Sequence, residues 1–419
     1  MDYTFRLDME YDKKRNLESI ESNYTVKIVP ESDLEKSFYK YACNFHNAAH
    51  TVASFLLENE ERPSISQLDT FVFPLVFLYR HSLELLLKAI GFRYIIDQQD
   101  RKGYIKDTYH NLFELLQAAL KLQPSATLSE ECDWLQTFLN DFSLMDKESD
   151  SFRYPFHIKC QYGNFSIERV FEKQTHLDLC KLANKFEAAF EIISLWYSRS
   201  NKETEDWKNL NPVFIEEGGG YYGQAVVGYG YKRQDYHPYV NGYIETAGLL
   251  RSLMQKAQDT HNQSLVDSFF FPMCYLYRNS IELILKEVWM DDTRENLQLK
   301  LKCLNRRKHK IVGIWHKVEE WDEKVFNDKK NEDAQKHFQF IEETCEQLNI
   351  YDSDASRFRY PCDKNMKPYY KSLIMLDYDN IAHFMENLFS AIDCLDAELS
   401  ARNEYIDEME SEMDSNYMW

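Results

Sequence analysis

The hydrophobic positions of this chain fall on helical stripes. Residues 35–57 and 239–257 carry apolar side chains at three- and four-residue spacing, with polar ones between them, as amphipathic helices do. Residues 66–96 and 264–290 are apolar on nearly every face, which predicts helices enclosed by others. Pro74 and Pro272 fall inside these two patterns, so each helix is expected to begin or kink there. Shorter helices are predicted over 110–122 and 309–321, then over 128–142 and 333–348. Long closing helices follow over 174–197 and 377–412, and a strand is predicted at 24–29.

These elements come in two matching sets. The segment 73–88 reads Phe-Pro-Leu-Val-Phe-Leu-Tyr-Arg-His-Ser-Leu-Glu-Leu-Leu-Leu-Lys. It returns at 271–286 as Phe-Pro-Met-Cys-Tyr-Leu-Tyr-Arg-Asn-Ser-Ile-Glu-Leu-Ile-Leu-Lys. His110-Asn111-Leu112-Phe113 is matched by His309-Lys310-Ile311-Val312, and Phe152-Arg153-Tyr154-Pro155 by Phe358-Arg359-Tyr360-Pro361. Three blocks in one order, at nearly constant offset, mark a tandem duplication. The expected organisation is an N-terminal extension (1–34), a helical domain (35–200), a linker (201–236), a second helical domain (237–403) and an acidic tail (404–419). The fold class is all-α.

Between the repeats the texture changes. Glycine is scarce elsewhere, yet six crowd into residues 218–230, and alternation through 224–227 and 229–231 predicts a short β-hairpin. Gly218-x-Gly220-x-x-Gly223 has the spacing of a dinucleotide fingerprint, but strand-like residues follow where that fingerprint needs a helix. It reads as a turn.

Composition narrows the class. The 419 residues include 69 acidic and 49 basic side chains, a net charge of −20, and both halves are acidic. Such a chain cannot coat itself with nucleic acid by general counterion release; any RNA contact must be confined to a local basic cleft. Nine scattered cysteines without a Cys-x-x-Cys pair suggest neither a disulfide framework nor a zinc knuckle. No uninterrupted apolar run reaches the ~18–20 residues of a membrane span, and the first residues lack signal-peptide order. The expectation is a cytoplasmic protein with no membrane contact.

The repeated charges are the candidate chemistry. Arg80, Glu84 and Lys88 share one helical face, as do Arg278, Glu282 and Lys286. Their apolar flanks imply burial, and a buried charge must be paired. Glu84 is expected to pair with Arg153 or His110, and Glu282 with Arg359 or His309. His46 and His50 have a metal-compatible spacing but no evident third ligand, so they read as ordinary histidines.

An Arg-[His/Asn]-x-x-Glu-Leu-x-Leu-Lys helix, a His-led helix and a Phe-Arg-Tyr-Pro segment, in that order, resemble the bacterial HEPN superfamily of helical bundles. The resemblance covers about 35–198 and 237–400 and implies two HEPN-like bundles forming an intramolecular pseudo-dimer. It also implies an RNA-acting effector: a metal-independent ribonuclease of antiviral defence or a toxin-type system, without metal or cofactor. The family's Arg-x(4–6)-His spacing is not expected anywhere in this chain. Arg80 is followed at once by His81, Arg278 by Asn279, and Arg153 precedes His157 by one residue too few. On this reading the catalytic set is Arg80, His81, Arg153, His157, Arg278 and Arg359. Glu84, Lys88, His110, Glu282, Lys286 and His309 then form the supporting network. The alternative is a non-catalytic interaction or regulatory protein that keeps the fold and holds a partner protein or nucleotide; association into a homo-oligomer is compatible with either reading.

Overall fold

A computed structural model describes residues 16–31, 33–58, 63–123, 129–200, 202, 204–228, 235–326 and 331–417. The first unit runs through α1 (Leu34–Glu58), α2 (Ile65–Tyr94), α3 (Gln98–Thr108), α4 (Leu112–Leu122) and α5 (Glu130–Met145), closing with α6 (Leu179–Ser198). The second repeats it as α7 (His237–Asp259), α8 (Gln263–Glu287), α9 (Leu297–Arg307), α10 (Ile311–Val325), α11 (Glu332–Tyr351) and α12 (Tyr378–Tyr417). The helices expected from periodicity are all present. The acidic tail continues α12 to Tyr417.

The two central helices show why the pattern was apolar all round. From Thr70 to Phe92, α2 is buried along its whole length, and α8 is buried from Ser268 to Glu287. By length and composition α2 could cross a bilayer, but its apolar window is wholly enclosed by protein. A capping box starts it: Ser64 accepts from the Gln67 backbone, and the Gln67 side chain returns to Ser64. Pro74 and Pro272 neither start nor end their helices, contrary to one of the two expectations. Proline leaves the carbonyl four residues earlier without its helical donor. In α2 that carbonyl, on Thr70, faces Gly242 of α7, where a Cβ would lie 2.1 Å from it. The glycine lets the units close on each other at this point.

The units pack reciprocally, α2 against α7 and α1 against α8, as two-fold-related surfaces do. Strands reinforce the exchange. Before α6 lies β4 (Thr175–Asp178), and before α12 lies β6 (Ile374–Asp377), each ending in the aspartate that caps the next helix. β6 pairs antiparallel with β1 (Thr25–Ile28), so the N-terminal strand completes the second unit. β4 pairs with β5 (Gln224–Val227) from the linker. The expected local hairpin is therefore corrected: β5 joins the first unit, and 229–231 lie outside the described residues. A hairpin not foreseen, β2 (Phe156–Gln161) with β3 (Asn164–Arg169), turns through Tyr162 and Gly163 at φ 51° and 88°. Helices α3 and α9 were also not foreseen.

Candidate functional site

Each unit builds its charges on the buried central helix. Glu84 receives Lys88 Nζ at 2.5 Å, His110 Nδ1 at 3.0 Å and the Arg80 guanidinium. Glu282 receives Lys286 Nζ at 2.7 Å, His309 Nδ1 at 3.0 Å and Arg278 at 3.4 Å. Both arginines also donate to the backbone carbonyl of the histidine just ahead of α4 or α10. The Glu–His pairings expected from the repeat are present.

The tyrosines exchange between units. Tyr360 of the second Arg-Tyr-Pro loop donates to Glu84 at 2.8 Å, and Tyr154 of the first donates to Glu282 at 2.6 Å. Lys88 lies over the Tyr360 ring and Lys286 over the Tyr154 ring, the latter 3.9 Å from its centroid. The arginine alternative, Glu84 with Arg153 and Glu282 with Arg359, is thereby corrected; the loop reaches across, and it is the tyrosine that binds. The loops are held by aspartates the sequence reading passed over. Asp146 accepts the backbone N–H groups of Asp150 and Ser151, and Asp352 accepts those of Ser356 and Arg357. The Asp146/Asp352 match, at the same offset as Arg153/Arg359, was the available signal.

Protonation follows from burial and these partners. Burial opposes the charge on Glu84, but Lys88, His110 and Arg80 outweigh it and hold the carboxyl well below its usual range. Glu282 is held low in the same way by Lys286, His309 and Arg278. Burial pushes the His110 imidazole down to about 4. Glu282 by itself would raise His309, yet burial together with Arg153 and Lys286 prevails and lowers it. Both rings are therefore neutral near pH 7. His157 is shifted the other way, raised mainly by its hydrogen bond to Asp150.

Both sets open on one cleft of about 1070 Å³ along the seam. Lys88, His110, Arg359 and Tyr360 line it from one side, and Lys286, His309, Arg153 and Tyr154 from the other. Ten lysines and arginines line it against five carboxylates, in a chain whose net charge is −20. The local sign is the reverse of the whole.

The structure divides the expected catalytic set. Arg153, His157 and Arg359 line the cleft. Arg80, 1% exposed, is closed by Glu84, Asp146 and the His110 carbonyl. Arg278 is wholly enclosed, and so is His81, whose Nε2 meets the Arg359 carbonyl at 3.0 Å while burial holds its ring well below the ordinary value. These three support the site from behind. Conversely His110, His309, Lys88 and Lys286, read as support, face the cleft.

Other candidates resolve elsewhere. One Arg-x(6)-His spacing does occur, Arg169 to His176, but it joins a salt bridge to Asp235 with a ring bonded to Gln174 and Gln224. His46 and His50 converge on Glu187, at 2.8 and 2.9 Å, and Tyr79 donates to the same carboxylate. A group not foreseen, His316 with Glu319 and Glu342, brings three possible ligand atoms within 4.8 Å of one another. The chain matches no protein-family model, no curated protein and no solved structure.

Proposed function

We propose that this protein acts on RNA as a metal-independent ribonuclease, with its two HEPN-like units forming one composite site. The observation that carries the proposal is the basic seam cleft, lined by two neutral histidines and one whose pKa is raised, in an otherwise acidic chain. Groups whose environments drive their pKa values apart suit opposite proton-transfer roles. His110 or His309 takes the proton of a ribose 2′-hydroxyl. The 2′-oxygen attacks phosphorus, the bond to the 5′-oxygen breaks, and His157 donates its proton to that oxygen, leaving a cyclic phosphate and a 5′-hydroxyl end. Lys88, Lys286, Arg153 and Arg359 stabilise the charge that develops on the phosphoryl oxygens. A defence or toxin-type role is part of the same reading and rests on the resemblance alone.

A second reading has its own support. Arg80 and Arg278, the signature residues of the repeat, are spent on buried contacts, as in a scaffold that holds a partner. Labelled total RNA incubated in EDTA separates the two. Wild-type protein is expected to cleave, and His157→Ala and His110→Asn/His309→Asn to lose cleavage at least a hundredfold, consistent with ~10²–10⁴ for a positioned acid or base. Intact RNA with the wild type would leave the scaffold standing; cleavage abolished by EDTA would overturn metal independence.

A further inference from the structure

Arg153 and Arg359 are buried cations with no bonded carboxylate among the described residues. They are 5% and 6% exposed. Each Nε donates to the carbonyl four residues earlier, Ser149 O at 2.6 Å and Ala355 O at 2.7 Å. Ser149 and Ala355 adopt left-handed backbone, at φ 65° and 57°, and so present those carbonyls inside the loop. Among the described residues neither guanidinium makes an ion pair at 4.0 Å or less, and Nη1 of Arg153 has no hydrogen-bond partner.

What surrounds them is aromatic. Arg153 lies 5.1 Å from the Tyr154 centroid, and Arg359 lies 5.4 Å from Tyr275 and 5.2 Å from Tyr360. Tyr275 also adjoins Arg153, and the two positive charges are close enough to repel. Ring faces attract a cation by ~0.5–2 kcal/mol without cancelling its charge. The neighbouring networks offer nothing to spare. Arg80 and Lys88 are matched by Glu84 and Asp146, and Arg278 and Lys286 sit with Glu282 and Asp352. Asp150 attracts Arg153 and Glu84 attracts Arg359, but both carboxylates are already bonded by other groups. Two buried positive charges therefore lack a bonded carboxylate, on residues that line the cleft. Buried charges are otherwise paired.

We propose that Arg153 and Arg359 form a seat for one phosphoryl dianion, a free or terminal phosphate group, where the two units meet. A phosphate monoester or inorganic phosphate carries up to two negative charges near neutral pH, and guanidinium forks match its oxygens in pairs. An internal phosphodiester carries one, and would leave a buried guanidinium unmatched. The inference shares its cleft with the ribonuclease reading and deepens it, but involves no bond cleavage.

The test is equilibrium binding to the full chain by calorimetry, at constant ionic strength set with chloride. The probes are inorganic phosphate, AMP, dimethyl phosphate, and an RNA octamer with a 5′-phosphate or a 5′-hydroxyl, the RNAs carrying 2′-O-methyl riboses to prevent cleavage. Phosphate and AMP are expected to bind at least about tenfold more tightly than dimethyl phosphate, as is the 5′-phosphorylated octamer over its hydroxyl twin. Octamer affinity far above that of AMP assigns the seat to an RNA end; equal affinity assigns it to a free nucleotide. Arg153→Gln and Arg359→Gln are each expected to erase the preference. The wild-type comparison stands even if a variant fails to fold. Dimethyl phosphate bound as well as phosphate, or no phosphate binding at tens of millimolar, overturns the seat. Dianion binding without RNA cleavage would sink the ribonuclease reading alone.

Discussion

The two half-sites use the same residues but close differently. In the first, Arg80 meets Glu84, the His110 carbonyl and, at 2.9 Å from its Nε, Asp146, so the loop and the central helix share one ionic lock. In the second, Nε of Arg278 and Oδ2 of Asp352 are both buried without a hydrogen-bond partner. Burial raises the Asp352 carboxyl, partly opposed by Arg278. One sequence change sits beside this difference. His81 bonds across the seam to the Arg359 carbonyl through Nε2 and leaves Nδ1 unpartnered, whereas Asn279 in the equivalent place makes no bond across the seam: it accepts from Tyr275 of its own helix and leaves its amide nitrogen unpartnered. Duplication copied the motif, and the second copy is held less tightly. A buried polar network is stabilising in proportion to how completely it is satisfied.

The largest expected effect comes from removing the central carboxylates. Glu84→Ala and Glu282→Ala each strand buried cations, a change on the order of 3–5 kcal/mol. Glu282→Ala is expected to cost more, because Arg80 keeps Asp146 while Arg278 has no bonded carboxylate left. Denaturant midpoints in the reverse order would break the comparison. Next is the aspartate pair. Asp146→Asn removes an ion pair as well as loop contacts and should cost about 1.5–3 kcal/mol. Asp352→Asn keeps a carbonyl for the two loop N–H groups, loses no bonded cation, and should leave the thermal midpoint within a few degrees of wild type.

The pH response sharpens the same contrast. Glu287 ends α8 and is pushed up to about 8 by burial, then by Asp291, Asp292 and Asp393. Its folded value lies above its ordinary 4.5, so the stability it lends is complete below that pH and is lost as pH rises through about 8. His110 works in the other direction. Its folded value, about 4, lies below 6.5, so its contribution is complete above 6.5 and is lost as pH falls through about 4. His337 in the second unit, also pushed down to about 4 by burial, adds to the acid limb. The alkaline limb, followed by melting temperature from pH 6 to 9, should flatten in Glu287→Gln; an unchanged slope would remove Glu287 as its source. The smallest effect is expected from His81→Asn, which makes the first half-site resemble the second. It should cost about 1 kcal/mol for one hydrogen bond and leave RNA cleavage intact, since His81 does not reach the cleft.

Much of this architecture was legible in the residues. Periodicity located ten of the helices because their apolar stripes are long; α3 escaped because its opening, Gln98-Gln99-Asp100-Arg101-Lys102, shows almost no apolar face, and α9 because Leu297, Leu299 and Leu301 alternate with polar residues at a strand's period. Repetition pointed to Arg80, Glu84, Lys88 and their copies as a unit, and offered His110 and His309, beside Arg153 and Arg359, as partners of the glutamates; the histidines are the ones that bond. Which of them face a ligand was not legible, because helical spacing says that side chains share a face but not what covers it.

The sequence by itself determined the two helical units, the buried position of their charges, and the need for those charges to be paired. These follow from local periodicity and from the cost of burying an ion, which act on any chain bearing these residues. Only the tertiary structure decided who pairs with whom. The exchange of Tyr154 and Tyr360, the strands β1 and β5 completing distant partners, and the placing of Arg153 and Arg359 on one cleft all join residues far apart in the chain. Their contacts depend on how two nearly identical surfaces close on each other, and that geometry turns a chain of charge −20 into one with a positive seam.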